Sequence, residues 1–197
     1  MSEPTEKAGT TAPPPYTFTA DESLDPWNIS APEWLTQHQS PLDGLAVGAV
    51  VFDPQGRILL VQRAAHDSMP NKWEIPGGGA DDTDLTVLHA AARELWEESG
   101  LVARRFTHIV TEGPGSELGH VFPNRNCTKH FCRFVFATEV ESCAVVTLDP
   151  NEHQDYLWAT EDEVRAQMVG DRSIEITQRV MHAVLLEGFR LRRERLA

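Results

Sequence analysis

Between Trp73 and Leu101 the chain runs from a short apolar segment through Pro76 and three consecutive glycines, Gly77 to Gly79, into a polar loop and then an Ala-, Leu- and Glu-rich stretch. No other stretch constrains the fold as strongly. The proline and glycines end a strand and let backbone approach a ligand or a following helix closely. From about Thr86 the recurrence of Leu85, Leu88, Ala92 and Leu95 at helical spacing predicts a helix, and Gly100 supplies its stop.

Glu94, Glu97 and Glu98 lie three and four residues apart on that helix, so their carboxylates are expected on one side, away from the Leu88/Leu95 stripe. A solvated helix face with one Arg93–Glu97 pair accounts for such a pattern in many Glu-rich helices. It leaves the glycine-rich turn unexplained. Carboxylates beside backbone carbonyls are the hard oxygen donors that magnesium or manganese takes, with other positions left to water and phosphate oxygens.

The run Arg93-Glu94-Leu95-Trp96-Glu97-Glu98-Ser99-Gly100-Leu101 matches without a gap the second half of the signature of the Nudix hydrolases, and the chain resembles that family. The first half departs from the pattern of Gly, five residues, Glu, seven residues, Arg. Counting back from Arg93 puts Leu85 where the family has Glu, with Gly79 as the glycine. With one extra loop residue, Gly78 is the glycine and Asp84 the acid. Both registers stand open on sequence alone.

The resemblance implies an α/β fold, the Nudix-type α/β/α sandwich with a central mixed sheet, from Leu45 to the C-terminus. It also implies a bound Mg2+ or Mn2+ held by Glu94, Glu97, Glu98 and the carbonyl of Gly77 or Gly78, with Arg93 orienting the glutamates. Asn151-Glu152-His153 precedes a strand containing Trp158 and then a helix, as in many members. Glu152 is thereby a candidate metal ligand or general base, alternative to Glu94 as the proton acceptor, and His153 a weaker candidate.

The activity implied is hydrolysis of a phosphoanhydride in a nucleoside diphosphate linked to another group, a nucleotide or a nucleotide sugar such as ADP-ribose. The alternatives are a non-catalytic ligand-binding or sensor module, a diphosphoinositol polyphosphate hydrolase, and RNA-cap hydrolysis. Arg63, Trp73, Arg125 and Lys129 are the candidate substrate contacts, the last two in the most basic part of an otherwise acidic chain. Lys and Arg at a solvated strand edge is the competing account for that patch, which includes His130 and Arg133.

A formal net charge of -13 argues against a non-specific hold on nucleic acid. Cys127, Cys132 and Cys143 form no Cys-x-x-Cys pair, and the chain has neither a signal-like start nor a membrane-length apolar run, so a cytoplasmic, reducing location is expected.

In chain order, residues 1–21, rich in Pro, Thr, Glu and Ala, read as a disordered tail. Residues 22–44 read as an extension with a short helix capped by Ser30-Ala31-Pro32-Glu33. Residues 45–197 read as one domain. Leu45–Phe52 and Arg57–Arg63 read as a hairpin about Asp53-Pro54-Gln55-Gly56. Phe106–Thr111 and Lys129–Thr138 read as strands joined by a long loop, Glu112–Cys127, assigned to substrate contact. Thr160-Glu161-Asp162-Glu163 opens a capped helix, and a C-terminal helix is expected from Ile174 to Leu191. Trp27 and Trp34 are expected to pack on the domain, with a homodimer contact through the same segment as the alternative.

Overall fold

A computed structural model describes residues 13–196. The elements are β1 (Thr19–Ala20), a 3-10 turn (Glu22–Trp27), α1 (Ala31–Gln37), β2 (Gly44–Val51), β3 (Ile58–Arg63), β4 (Trp73–Glu74), α2 (Val87–Ser99), β5 (Ala103–Ile109), β6 (His120–Pro123), β7 (His130–Val140), β8 (His153–Ala159), α3 (Glu161–Ala166), β9 (Met168–Val169), β10 (Arg172–Ser173) and α4 (Arg179–Leu196).

The larger sheet runs β1-β5-β7-β2, with β6 beside the first residues of β7; a second sheet runs β4-β3-β8. β2 pairs with β7 in parallel, and β5 and β6 pair with it antiparallel, so the sheet is mixed. Side chains of β2 alternate between two cores. Leu45, Val47, Ala49 and Val51 meet Leu88, Ala91, Ala92 and Leu95 of α2, whereas Val50 meets Val184, Leu185 and Phe189 of α4. Sheet between helices is therefore the architecture, as expected.

The other edge of β2 carries the glycine loop. Val47 N–H donates to the Gly78 carbonyl (2.9 Å), Ala49 N–H to Pro76 (2.9 Å) and Ala80 N–H to Leu45 (3.0 Å). This pairing overturns the expected β2/β3 hairpin. The Asp53–Gly56 turn closes, with Gly56 N–H on the Asp53 carbonyl (2.9 Å), but β2 and β3 share only the bridge Phe52–Ile58 and then diverge into different sheets. The edge that a hairpin partner needs is filled by residues 76–80.

Four other expectations are corrected. Residues 13–21 of the supposed tail are packed: Phe18 sits edge-on to Phe106, β1 pairs with β5, and Arg105 holds Asp21 (2.7 Å). The earlier part, residues 1–12, lies outside the described residues. The Glu112–Cys127 loop contains β6. The C-terminal helix begins at Arg179, because residues 174–177 run beside β4, with Trp73 N–H donating to Glu175 and Thr177 N–H to Trp73 (both 2.9 Å). Trp27 and Trp34 pack on their own domain as expected, both against Phe134. Ser30 caps α1 as expected, but Glu33 turns to Gln37 (3.1 Å) and leaves the capping box half made.

Candidate active site

The local sequence sets α2 firmly. Thr86 Oγ1 accepts from His89 N–H (3.2 Å) at the N-terminus, and Gly100, at φ 70°, closes the C-terminus in the left-handed region. One face of α2 is buried against β2, and Glu94 and Glu98, one turn apart, lie beside the glycine loop. Glycine is required there by space. A Cβ on Gly77 would stand 2.2 Å from the Val47 carbonyl oxygen, and one on Gly78 would stand 2.6 Å from Glu94 Oε2.

Arg93 fastens loop to helix. Its guanidinium donates to both oxygens of Asp84 (3.0 and 2.9 Å), to the Gly79 carbonyl (2.8 Å), to Glu94 (2.8 Å) and to Glu97 (2.9 Å). That uses every N–H a guanidinium has. Burial would lower its pKa, but hydrogen bonds and charge from Asp84 and Glu94 outweigh that and hold it above the ordinary value. The open register is thereby decided: Asp84 holds the acid's place, while Leu85 is 75% exposed. The shorter aspartate reaches Arg93 because the loop is one residue longer.

Glu98 is 5% exposed and accepts from Gly77 N–H (2.6 Å). Burial raises its pKa well above the carboxylate range, Gly77 N–H opposes the rise, and Glu74 and Glu94 add to it. Glu94 is pushed up to about 7, first by burial and then by Glu97 and Glu152, against the pull of Arg93. Glu97 departs from the single face expected. One helical step from Glu98, its side chain is 46% exposed and turned to Arg93 at the rim.

The opposite wall comes from β8, whose pairing with β3 is bulged between Gln62 and Arg63. There the Glu152 carbonyl takes Ala64 N–H (2.8 Å), and His153 pairs with Arg63. Bulges re-aim side chains, and here Glu152 and His153 join Glu98, with one donor atom of each lying within 4.8 Å of the others. His153 is 2% exposed, and neither ring nitrogen has a hydrogen-bond partner.

These groups line a cleft of about 650 Å³, together with Gly77–Gly79, Glu94, Arg63, Phe122, Phe131 and Arg133. Of the expected substrate contacts only Arg63 is there, and its charge is committed to Glu74 and Asp67. Trp73 is fully buried in the core with Arg172 over its ring (4.8 Å), so it lines no base pocket. Clustered in space with Ile75, Ile174 and Ile176, this strand-entry aromatic is a packing residue. Arg125 and Lys129 lie in the exposed β6–β7 turn, where Asn124 Oδ1 accepts from Lys129 N–H (3.2 Å), and neither lines the cleft.

A second arginine also lines the cleft, Arg133, stacked on Phe122 at 5.0 Å, which in turn stacks on Phe131. Among the described residues Arg133 has no carboxylate partner in ion-pair range, and burial lowers its pKa. Glu74, buried beside Arg63 and 3.6 Å from His153, went unread as well. A charged residue between Trp73 and Ile75 was the available signal for it.

A NUDIX domain family model matches residues 42–180. A MutT-like protein of Streptomyces ambofaciens is 30% identical over 65% of this chain and 71% of its own length. An RNA pyrophosphohydrolase of a Psychrobacter strain is 45% identical over 29% of this chain, and the match spans 31% of that protein's length. Among solved structures, a MutT protein from Methanosarcina mazei superposes with a TM-score of 0.56 at 23% identity, over 77% of this chain and 95% of the other, which speaks for the fold alone. The chain belongs to the Nudix hydrolase family.

Proposed function

We propose that this protein is a divalent-metal-dependent pyrophosphohydrolase that cleaves the phosphoanhydride of a nucleoside diphosphate linked to another group. The observation that carries the reading is the presence in one cleft of the carboxylates Glu94, Glu98 and Glu152 and of Arg133, stacked on a phenyl ring and, among the described residues, without an ion-pair partner. The donor set fits a hard cation: Glu94 and Glu98 are held in a buried place where their charge is unfavourable, and the Gly77 backbone approaches them. Glu94, Glu98 and Glu152 would hold Mg2+ or Mn2+, with Glu97 at the rim. Such an ion, when bound, neutralises phosphate charge and lowers the pKa of its water.

The chain's own groups do the rest. Arg93 fixes Glu94 and the glycine loop in place. Glu152, on the solvent side of the cluster, accepts the proton as water oxygen attacks phosphorus and the bridging P–O bond breaks, giving two phosphate-terminated products. Arg133 binds the non-attacked phosphate and stabilises charge there. Phe122 and Phe131 offer a flat apolar wall to a base. The departure of the signature's first half does not favour a non-catalytic module, since Asp84 restores the bond to Arg93.

Product release from a panel of nucleoside triphosphates, ADP-ribose, dinucleoside polyphosphates, 5′-triphosphorylated RNA and diphosphoinositol polyphosphates, with Mg2+ or Mn2+, tests this. One nucleotide class turned over by wild type and lost in Glu98→Gln is the expected result. Tight ligand binding without turnover in both proteins would leave a sensor module.

A further inference from the structure

His153 is a buried titratable group of the cleft for which the mechanism above has no use. Its ring stands among acceptors: Glu98 and Glu152 offer carboxylate oxygens within 4.8 Å, and Glu74 Oε1 lies 3.6 Å from Nε2. That last distance is too long for a hydrogen bond, and the same Glu74 oxygen already takes Arg63 Nη1. Both ring nitrogens are therefore orphaned in a place that water scarcely reaches. Burying an unsatisfied polar group costs about 1–3 kcal/mol, and the ring nitrogen that lacks a proton has only acceptor oxygens around it. A cation between the imidazole and the carboxylates gives one of those nitrogens a partner and offsets the carboxylate charge around it.

We infer that His153 donates a ring nitrogen to the divalent ion beside Glu98 and Glu152, making the site a mixed nitrogen–oxygen one that favours Mn2+ and other first-row transition ions over Mg2+. The inference rests on the metal-dependent reading above and sharpens it. Donors on opposite sides of a six-coordinate ion of this size stand about 4.2 Å apart, so a spread within 4.8 Å closes with small side-chain shifts. Imidazole suits first-row transition ions, whereas Mg2+ takes oxygen. β8 pairing and the His153 N–H bond to the Asp149 carbonyl (2.9 Å) hold the backbone that carries the ring at the cleft wall.

The test uses the full chain with Mn2+ or Mg2+ alone and reads nitrogen-14 coupling to bound Mn2+ by pulsed electron paramagnetic resonance, beside the Kd of each ion. Wild type is expected to show the coupling. His153→Gln is expected to lose it, with Mn2+ affinity down about tenfold or more and Mg2+ affinity changed less than about threefold. Glu74→Gln should keep the coupling, which separates ligation from service to Glu74. Mn2+ bound to wild type without nitrogen coupling overturns the inference whether or not the variant folds. Equal weakening of both ions by His153→Gln overturns it too. Failure of the underlying reading looks different: neither ion binds wild type, or Glu98→Gln binds both as wild type does.

Discussion

Arg93 and Arg133 stand at the same cleft with opposite arrangements. Arg93 gives five hydrogen bonds to Asp84, Gly79, Glu94 and Glu97, while Arg133 stacks on Phe122 and, among the described residues, has no carboxylate in ion-pair range. A saturated guanidinium has nothing left for a substrate and acts as a fastener of the protein. An unsaturated one, half-buried beside an acidic cluster, has its anion still to come. The contrast separates what builds the site from what the site receives.

Breaking the fastener should have the largest effect. Arg93→Ala strands the Asp84 and Glu94 carboxylates, so a loss of about 3 kcal/mol in denaturant-measured stability and about a hundredfold in turnover is expected. An unchanged midpoint would make Arg93 a substrate group after all. Arg133→Ala should do the reverse: KM rises about 10- to 100-fold for a diphosphate substrate, and stability stays within about 1 kcal/mol. A stability loss as large as that of Arg93→Ala would end the distinction.

Removing the ring under Arg133 is expected to be milder. Phe122→Ala should lower kcat/KM about tenfold for substrates carrying a base, the size of one stacking contact, and leave baseless phosphoanhydrides less affected. Equal loss on both would assign the ring to support of Arg133 alone.

The smallest effect is on pH dependence. With metal removed, Glu94 at about 7 binds its proton in the folded state between pH 4.5 and 7, where the unfolded chain has released it. Stability therefore falls as pH rises through that window. Partly buried His89 and His108, with values lowered chiefly by desolvation, contribute the opposite slope just below pH 6.5. Subtracting the Glu94→Gln melting curve isolates the glutamate. A saturating divalent ion should flatten the difference.

Legibility followed sequence distance. The helix start near Thr86, Glu94, Glu98 and the stop at Gly100 were readable because helical spacing and stop signals act within a few residues, while the role of Arg93 came through the family resemblance. Glu152 was readable only through a family resemblance, since nothing near it announces a site. Arg125 and Lys129 were chosen over Arg133 because composition registers charge but not direction. In β7 successive side chains point to opposite faces, and only the pairing of β6 with His130–Arg133 brings Arg133 and Phe122 into one stack. Trp73 failed for the same reason: an aromatic at a strand entry looks alike in sequence whether it faces a ligand or a core.

By itself the sequence determined the strand–glycine–helix unit, the acidic turn of α2 and the capped helices, because those depend on local backbone preference and on steric space around glycine. Tertiary structure alone decided which edge of β2 the glycine loop occupies, that Asp84 serves Arg93, and that His153 and Arg133 meet at one cleft. Apart from Asp84 and Arg93, nine residues apart across the loop, those relations join residues about twenty or more positions apart. Their energy exists only once β2, β7 and β8 have been packed and the groups between them have lost their water.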